Sequence, residues 1–385
     1  MLEDTNVVLG VTGSIAAVKT VELAHELRRR GATVRAVMTD AATNIVHPWA
    51  IELATDGDVI TEIGGSVEHV TFFGEDPWGD VLLIAPSTAN TVGKVAAAID
   101  DTPVTTCATT ALGAEVPVVI APAMHEPMYD HPGVIAAIER LESWGVSFAD
   151  PRIEESKAKI ASEESIVLET ARAAGDRPLD GKHIVVTSGA TTESVDPIRT
   201  LSNRSTGKTG RAVARACYVD GADVTLVHDG PEIPNATVES VESAAEMIAT
   251  VESHAESADA LVSAAAIGDY TVETADQKIR SGQEGLRLDL EPTPKLLDTV
   301  RDRAPDLPII GFKLETGSND EGLETAARAL LDRVDLSLVV ANDAAVTGAD
   351  RTRALFVRPN GTDVFEGSKP DLGKRIAGEI VDVLS

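Results

Sequence analysis

Short apolar runs of strand length alternate with longer stretches of helical spacing along most of the chain, and that rhythm restricts it to sheets whose strands run mainly parallel. Strand-like runs cover residues 6–10, 33–39, 81–85 and 116–121, while 15–30, 89–99 and 133–144 carry apolar residues at helical intervals. A strand that is apolar on both faces must be covered on both, and crossover helices are what cover it. The rhythm breaks once. Between 171 and 181 it fades into Ala-Ala-Gly-Asp-Arg-Pro-Leu-Asp-Gly, then restarts with runs at 183–187, 223–227, 260–264, 308–312 and 336–341. A chain of 385 residues also exceeds what one core usually holds. The prediction is an α/β protein of two Rossmann-like three-layer domains with mainly parallel sheets, 1–176 and 177–385.

Composition narrows the class of function. Asp and Glu outnumber Lys and Arg by 62 to 33, a net charge of −29. Nucleic-acid affinity rests on cations meeting phosphates, so no nucleic-acid partner is expected. No apolar run approaches the roughly 18 residues of a membrane span. Met1 to Asp4 lacks the cationic start of a signal peptide, and Cys107 and Cys217 alone make neither a disulfide framework nor a zinc cluster. These features predict a cytoplasmic protein with no membrane partner. So acidic a surface repels itself at low salt and is tolerable where the Debye length falls to about 3 Å near 1 M. A melting temperature that rises from low to molar KCl is the expected sign of a halophilic source. Only 11 of the cations are lysines, so a lysine inside a motif carries information.

Two turns read as anion sites. After the first strand, Gly13-Ser14-Ile15-Ala16-Ala17 runs into a helix, which suits one phosphate held by backbone N–H groups and the Ser14 hydroxyl. It is no dinucleotide fingerprint: the spacing of Gly10 and Gly13 is wrong, and the second run ends Val37-Met38-Thr39 without an acid. The second turn, Asn203-Arg204-Ser205-Thr206-Gly207-Lys208-Thr209-Gly210, precedes another helix. A Walker A loop fails there, because Ser202 stands where the first Gly belongs and residues 188–201 separate the loop from its strand.

Thr187-Ser188-Gly189-Ala190-Thr191-Thr192-Glu193, then Asp196-Pro197-Ile198-Arg199, then Asn203 to Lys208 follow one another in an order that resembles the start of phosphopantothenate–cysteine ligase, an enzyme of coenzyme A synthesis. The resemblance implies that Arg199, Arg204, Ser205, Gly207 and Lys208 bind substrate or nucleotide, and that Asn203 handles an acyl-cytidylate. Ser263-Ala264-Ala265-Ala266-Ile267-Gly268-Asp269-Tyr270 resembles the family turn whose Asp reads the cytosine of CTP. Lys278, in Gln277-Lys278-Ile279-Arg280-Ser281, matches the lysine the reaction needs, a charge suited to a transferring phosphoryl or nucleotidyl group. Thr293, Pro294, Lys295 and Phe312 join the CTP and substrate set, with Gly311 to Thr316 and Ala341-Asn342-Asp343 completing the pattern. Phe312 either stacks on a base or ribose or belongs to the core. Arg328 and Arg333 are the available basic residues for the triphosphate.

In the first half, Met38-Thr39-Asp40-Ala41-Ala42, Ala85-Pro86-Ser87-Thr88-Ala89-Asn90-Thr91 and Ala121-Pro122-Ala123-Met124 all follow strand C-terminal ends, where open α/β sheets bind ligands. With the Gly13 turn they resemble the flavoproteins that decarboxylate peptidyl or phosphopantothenoyl cysteine and hold FMN, over most of residues 5–170. That resemblance implies FMN contacts from Gly13, Ser14, Ile15, Ala16, Thr39, Ser87, Thr88, Asn90 and Met124, and a catalytic role for His69. A lone histidine is more often structural; in this context an imidazole that titrates near neutrality can orient a carboxylate or move a proton. The family's Pro-x-Met-Asn-x-x-Met reads Pro122-Ala123-Met124-His125-Glu126-Pro127-Met128 here, so His125 replaces the Asn that contacts the substrate carboxylate. The flap departs further. Bacterial relatives place a Cys before Gly-x-x-Gly-x-Gly-Arg-Met, whereas residues 151–161 read Pro-Arg-Ile-Glu-Glu-Ser-Lys-Ala-Lys-Ile-Ala. Lys157 or Lys159 then supplies the proton or binds the substrate phosphate, the alternative being a solvated, charged helix start. Cys107 lies beside the flavin or in the core.

Together the resemblances imply a bifunctional enzyme. CTP, with Mg²⁺ on its triphosphate, would drive ligation of 4′-phosphopantothenate to cysteine, and FMN-dependent decarboxylation would give 4′-phosphopantetheine. They also imply a homo-oligomer, since relatives form flavin-domain trimers and ligase-domain dimers that build a dodecamer. The competing reading is a flavin-binding electron carrier or sensor fused to a nucleotide-binding module, which leaves His69, Asn203 and Lys278 without a task.

Overall fold

The computed structural model describes residues 1–65, 67–154, 157–280, 285–317, 319–343 and 351–385. Glu155 and Ser156 of the flap and Ser281 after Lys278 lie outside these. Two compact units result, Met1–Asp176 and Arg177–Ser385. Among the described residues no helix is long and apolar enough to cross a membrane.

The first unit contains β1 (Asn6–Val11), β2 (Thr33–Met38), β3 (Val59–Ile60), β4 (Val81–Ser87), β5 (Val118–Pro122), β6 (Met124–His125), β7 (Ser147–Phe148), β8 (Arg152–Glu154) and β9 (Lys157–Lys159). Strands in the order β3-β2-β1-β4-β5-β7 make one parallel sheet. The order β6-β9-β8 makes a small antiparallel one, so the lysine-bearing flap is strand rather than a helix start. The helix expected over 15–30 divides into a 3₁₀ turn, Ile15–Lys19, and an α-helix, Thr20–Arg29.

A helix that the sequence pattern does not announce spans Pro103–Gly113, through a run rich in β-branched threonines. Pro103 at its first turn and a reciprocal Thr102–Thr105 capping box start it. Burial of Val104, Cys107, Ala108 and Ala111 against Val8, Leu82, Ile84 and Ile120 outweighs its weak intrinsic propensity. Cys107 therefore belongs to the core, and burial, with the Glu68 carboxylate adding to it, pushes its thiol up to about 12. Such a thiol is inert.

The second unit contains β10 (His183–Ser188), β11 (Thr192–Ser194), β12 (Thr200–Ser202), β13 (Asp223–His228), β14 (Thr237–Ser240), β15 (Ala260–Ser263), β16 (Tyr270–Val272), β17 (Leu290–Pro292), β18 (Ile309–Glu315), β19 (Leu338–Asp343), β20 (Arg351–Arg358) and β21 (Gly361–Ser368). Its main sheet runs β14-β13-β10-β15-β18-β19-β20-β21, parallel as far as β19 and antiparallel over the last two strands. Val213, Ala214 and Cys217 of the Lys208–Val219 helix pack on one face with Leu372, Ile376 and Ile380 of the Lys369–Leu384 helix. Met247, Val251, Val300, Leu323 and Leu331, from three other helices, cover the opposite face. The outcome is three layers, with the ligand-binding edge of the sheet at the C-terminal ends of β10, β15 and β18.

Candidate active sites

In the first unit three turns meet at the C-terminal edge of the sheet. Thr12 Oγ1 donates to the Pro86 carbonyl at 2.8 Å, Ser14 Oγ donates to the Ala123 carbonyl at 3.0 Å, and the Ala123 N–H donates to the Ser87 carbonyl at 2.9 Å. These bonds draw Gly13, Ser14, Ser87 and Met124 together. A Cβ on Gly13 would lie 2.5 Å from the Ala41 Cβ, so only glycine lets this turn pack against the turn after β2. Thr39 and Thr88 use their hydroxyls to cap short helices, accepting from Ala42 N and Thr91 N, each at 3.3 Å. Ile15 and Asn90 are exposed and Ala16 is half-buried.

Two buried polar atoms of this unit are left over. Ser87 is 0% exposed and its Oγ has no hydrogen-bond partner; the buried Nδ1 of His69 has none either. An unmet buried polar atom costs about 1–3 kcal/mol, which for Ser87 a polar ligand at this edge would remove. His69 is the second residue of the Glu68–Phe73 helix, anchored by buried Phe72 and Phe73, and is not among the residues that the turn-to-turn bonds tie together. His125 of β6 stands directly opposite Lys157 of β9. Ala158 between the lysines is buried, so the alternation of a strand sends Lys157 and Lys159 to its other face.

In the second unit the turn after β15 is tied to the turn after β10. Ala265 N–H donates to Thr187 Oγ1 at 3.1 Å, Ala266 N–H to the Gly189 carbonyl at 2.9 Å, and Gly268 N–H to Thr191 Oγ1 at 2.8 Å. Asn203 Nδ2 donates to the Ala266 carbonyl at 3.1 Å, which holds the loop before the Lys208–Val219 helix against the same turn. Beside it opens a cleft of about 470 Å³ lined by Ser263, Ala265, Asp269, Thr293, Pro294, Lys295, Phe312, Lys313 and Arg333. Pairing of β16 with β17 is what carries Thr293 to Lys295 back to Asp269, and Lys295 forms an ion pair with the Asp269 carboxylate. Phe312 lines the cleft and also packs against the core. Ala264, between two lining residues, turns toward that core. Arg333, paired with Asp298, reaches the cleft, whereas Arg328 is spent on Glu324, Thr362 and the Arg358 carbonyl.

One expected ligand residue is engaged otherwise. Arg199 donates to the Asp196 carboxylate and, at 3.0 Å, to the Ile279 carbonyl. The other side of that clamp is Asp196 itself, 1% exposed, whose carboxylate accepts from Ile198 N and Arg199 N at 2.8 Å and from Ile279 N at 3.0 Å. Burial opposes ionisation of Asp196, and the amides of Ile198, Ile279 and Arg199 with the guanidinium outweigh it, holding the carboxyl down to about 2. Ile279 is thus pinned through both backbone groups, which fixes the root of the exposed Lys278 beside it. At the start of the Lys208–Val219 helix, Gly207 sits at φ +70°, and a Cβ there would meet Ser188 Oγ at 2.8 Å and Gly189 N at 3.0 Å. Ser188 Oγ donates to the Gly207 carbonyl at 2.9 Å, and no side chain caps the helix. Arg204 is exposed and Ser205 half-buried in the loop ahead of it. Among the described residues no cluster of three or more His, Cys, Asp or Glu has a metal-holding arrangement.

Residues 1–175 match the Flavoprotein family model, and residues 179–384 match the DNA/pantothenate metabolism flavoprotein C-terminal domain. The coenzyme A biosynthesis bifunctional protein CoaBC of Thermococcus kodakarensis is 46% identical over 385 aligned residues, 98% of this chain and 95% of that protein. The chain belongs to the CoaBC family. CoaBC of Bacillus subtilis is 35% identical, covering 91% of this chain and 88% of its own, and CoaBC of Methanocaldococcus jannaschii is 32% identical, covering 99% and 94%.

Within this CoaBC-family chain some site residues escaped the sequence reading. Asp196 lay inside a motif already singled out, and its signal was the Asp-Pro turn, whose side chain bonds the amides just ahead. Ala326, Ala329 and Leu330 line the cleft from the Asp320–Val334 helix; small residues at helical spacing were their signal.

Proposed function

We propose that the second unit ligates 4′-phosphopantothenate to cysteine at the expense of CTP, and that the first unit decarboxylates the product to 4′-phosphopantetheine with FMN. What most supports the ligase reading is that the cleft, Asn203 and the open helix start at Gly207 lie on one stitched edge of the sheet. The nucleoside would occupy the cleft, with Asp269 toward the cytosine, Phe312 against base or ribose, and Arg333 and Lys313 toward the phosphates, where Mg²⁺ would ride on the triphosphate. Attack of the substrate carboxylate on the α-phosphorus releases pyrophosphate and leaves an acyl-cytidylate. Attack of the cysteine amine on its acyl carbon then releases CMP. Lys278 offsets the charge that develops on the transferring group, and Asn203 holds the activated acyl group.

For the first unit, the unpartnered Ser87 Oγ and the close-packed Gly13 turn fit a bound FMN, with Ser14 to Ala16, Thr39, Thr88, Asn90 and Met124 around it. FMN would supply reversible two-electron chemistry at the cysteinyl thiol. The protein's own part is positional: His69 and His125 orient the carboxylate that leaves as CO2, and Lys157 or Lys159 delivers a proton to the enethiol carbon. Trp49 and Leu53, exposed one turn apart on the Pro48–Thr55 helix, support self-association of this unit, in keeping with a cytoplasmic homo-oligomer. Incubation with 4′-phosphopantothenate, cysteine, CTP and Mg²⁺, following pyrophosphate, CO2 and 4′-phosphopantetheine, tests both halves. A protein that retains flavin yet yields neither pyrophosphate nor CO2 would be an electron carrier instead.

A further inference from the structure

Two helix starts lie side by side at the ligand-binding edge of the second unit. The Lys208–Val219 helix begins where β10 delivers the chain, and the Lys369–Leu384 helix begins where β21, which runs in the same sense as β19, ends. The fifth residues of the two helices touch: a Cβ on Gly373 would lie 2.4 Å from the Ala212 carbonyl oxygen. Both helices cover the same face of the sheet, so their positive ends point the same way, and their first residues, Lys208 and Lys369, stand close enough for one charge to bear on the other.

Lys369 is an unusual residue to find here. It is 7% exposed, and among the described residues it makes no hydrogen bond or ion pair. Burial first, and then the neighbouring Lys208 charge, lower its ammonium from the usual lysine range. The acid nearest in sequence does not relieve it, because Asp371 is taken up in the capping box with Ser368, whose N–H and hydroxyl donate to it at 3.1 and 2.6 Å. In a chain with 62 acids and 11 lysines, the buried lysine is Lys369, set beside the exposed Lys208. A desolvated ammonium beside a like charge destabilises a fold unless an anion joins it. The open start of the Lys208–Val219 helix, left without a side-chain cap beside Gly207, is where such an anion would find backbone N–H groups.

We infer that Lys369 and Lys208, with the N-terminal turn of the Lys208–Val219 helix, form a seat for a phosphate group of a ligase substrate. This deepens the ligase reading and rests on it for the identity of the ligand. The chemistry is common to the triphosphate of CTP and the phosphate monoester of 4′-phosphopantothenate, and the test separates them.

Lys369→Met and Lys369→Gln in the full-length protein, at one fixed KCl concentration, decide the matter. The expected result is a rise of about 10-fold or more in KM for one phosphorylated substrate, CTP or 4′-phosphopantothenate, with kcat and the KM for cysteine within about two-fold of the parent. Without substrates, Lys369→Met should melt no lower than the parent, because an unpaired buried charge has been removed. The rise in melting temperature that inorganic phosphate or tripolyphosphate gives the parent should be lost in both variants. Unchanged KM values in a variant as stable as the parent would overturn the seat, and so would a lower melting temperature with every KM raised together. If the parent makes no pyrophosphate at all, the ligase reading fails, and the anion-induced melting shift still decides whether the seat exists.

Discussion

The two anion turns begin alike and end differently. In both, a buried first strand delivers the chain to a turn of small residues and then to a helix. In the first unit the turn is neutral, and it is closed by hydroxyls: Thr12 and Ser14 spend their donors on neighbouring carbonyls, leaving the buried Ser87 hydroxyl for a ligand. In the second unit an inserted β11–β12 hairpin separates strand from helix, the turn relies on the positive φ of Gly207, and Lys208, Lys278, Lys295, Lys313 and Lys369 populate the same unit. A neutral, pre-stitched socket suits a group that stays bound through many turnovers. A charged one suits phosphates that arrive, lose pyrophosphate and leave.

The sharpest test of that division is Lys278→Gln. It should lower the ligase rate by roughly 10²-fold while decarboxylation of supplied 4′-phosphopantothenoylcysteine is unchanged; equal loss of both activities would mean that the two sites are not separate. On the neutral side, replacing the responsible one of Lys157 and Lys159 with Gln should let CO2 form while an enethiol-type product two hydrogens lighter accumulates, as read by mass. Full-mass product from both single variants and the double variant would remove lysine from that step.

Asp196→Asn should cost the ligase about 10-fold, and nothing further in a Lys278→Gln background, if the clamp acts through Lys278; additive losses would make it a folding element only. Its carboxyl is held low in the folded state, so its stabilising share is complete above the ordinary Asp value near 4 and fades as pH falls toward about 2. The difference in urea midpoint between parent and Asp196→Asn should therefore be flat above about pH 4 and shrink below it. Ser87→Ala should weaken flavin binding by about 10-fold while the flavin-free protein melts no lower. The smallest effect is expected from cutting the chain: residues 180–385 alone should fold and keep ligase activity, and an insoluble or inactive fragment would show that the charged site needs the neutral unit.

Much of the architecture was legible because parallel strands buried on both faces advertise themselves as uninterrupted apolar runs. The same logic hid the Pro103–Gly113 helix, whose threonines read as strand or loop until a capping box and a core contact decide otherwise. It also hid β20 and β21, although the two-residue loop Pro359-Asn360 followed by Gly361, between two β-type runs, is a hairpin signal. Motif residues could be found by type and spacing, but not their engagement. Arg199 looks like a ligand residue in sequence, and only the folded backbone shows its guanidinium committed to Asp196 and Ile279. Lys369 offers no signal at all, since one lysine after a serine N-cap looks like any solvated helix start.

Gly373 carries a consequence for how this protein can change over time. Where two helices meet through side chains, substitutions slide them by fractions of an ångström and let a lineage retune the gap. Here backbone touches backbone, with the Ala212 carbonyl where a methyl would have to go. The spacing of the two helix starts is a fixed gauge, indifferent to drift in the surrounding core, and on the inferred phosphate seat any change of preference falls to the surrounding loops. A single Gly373→Ala step would reset the gauge all at once.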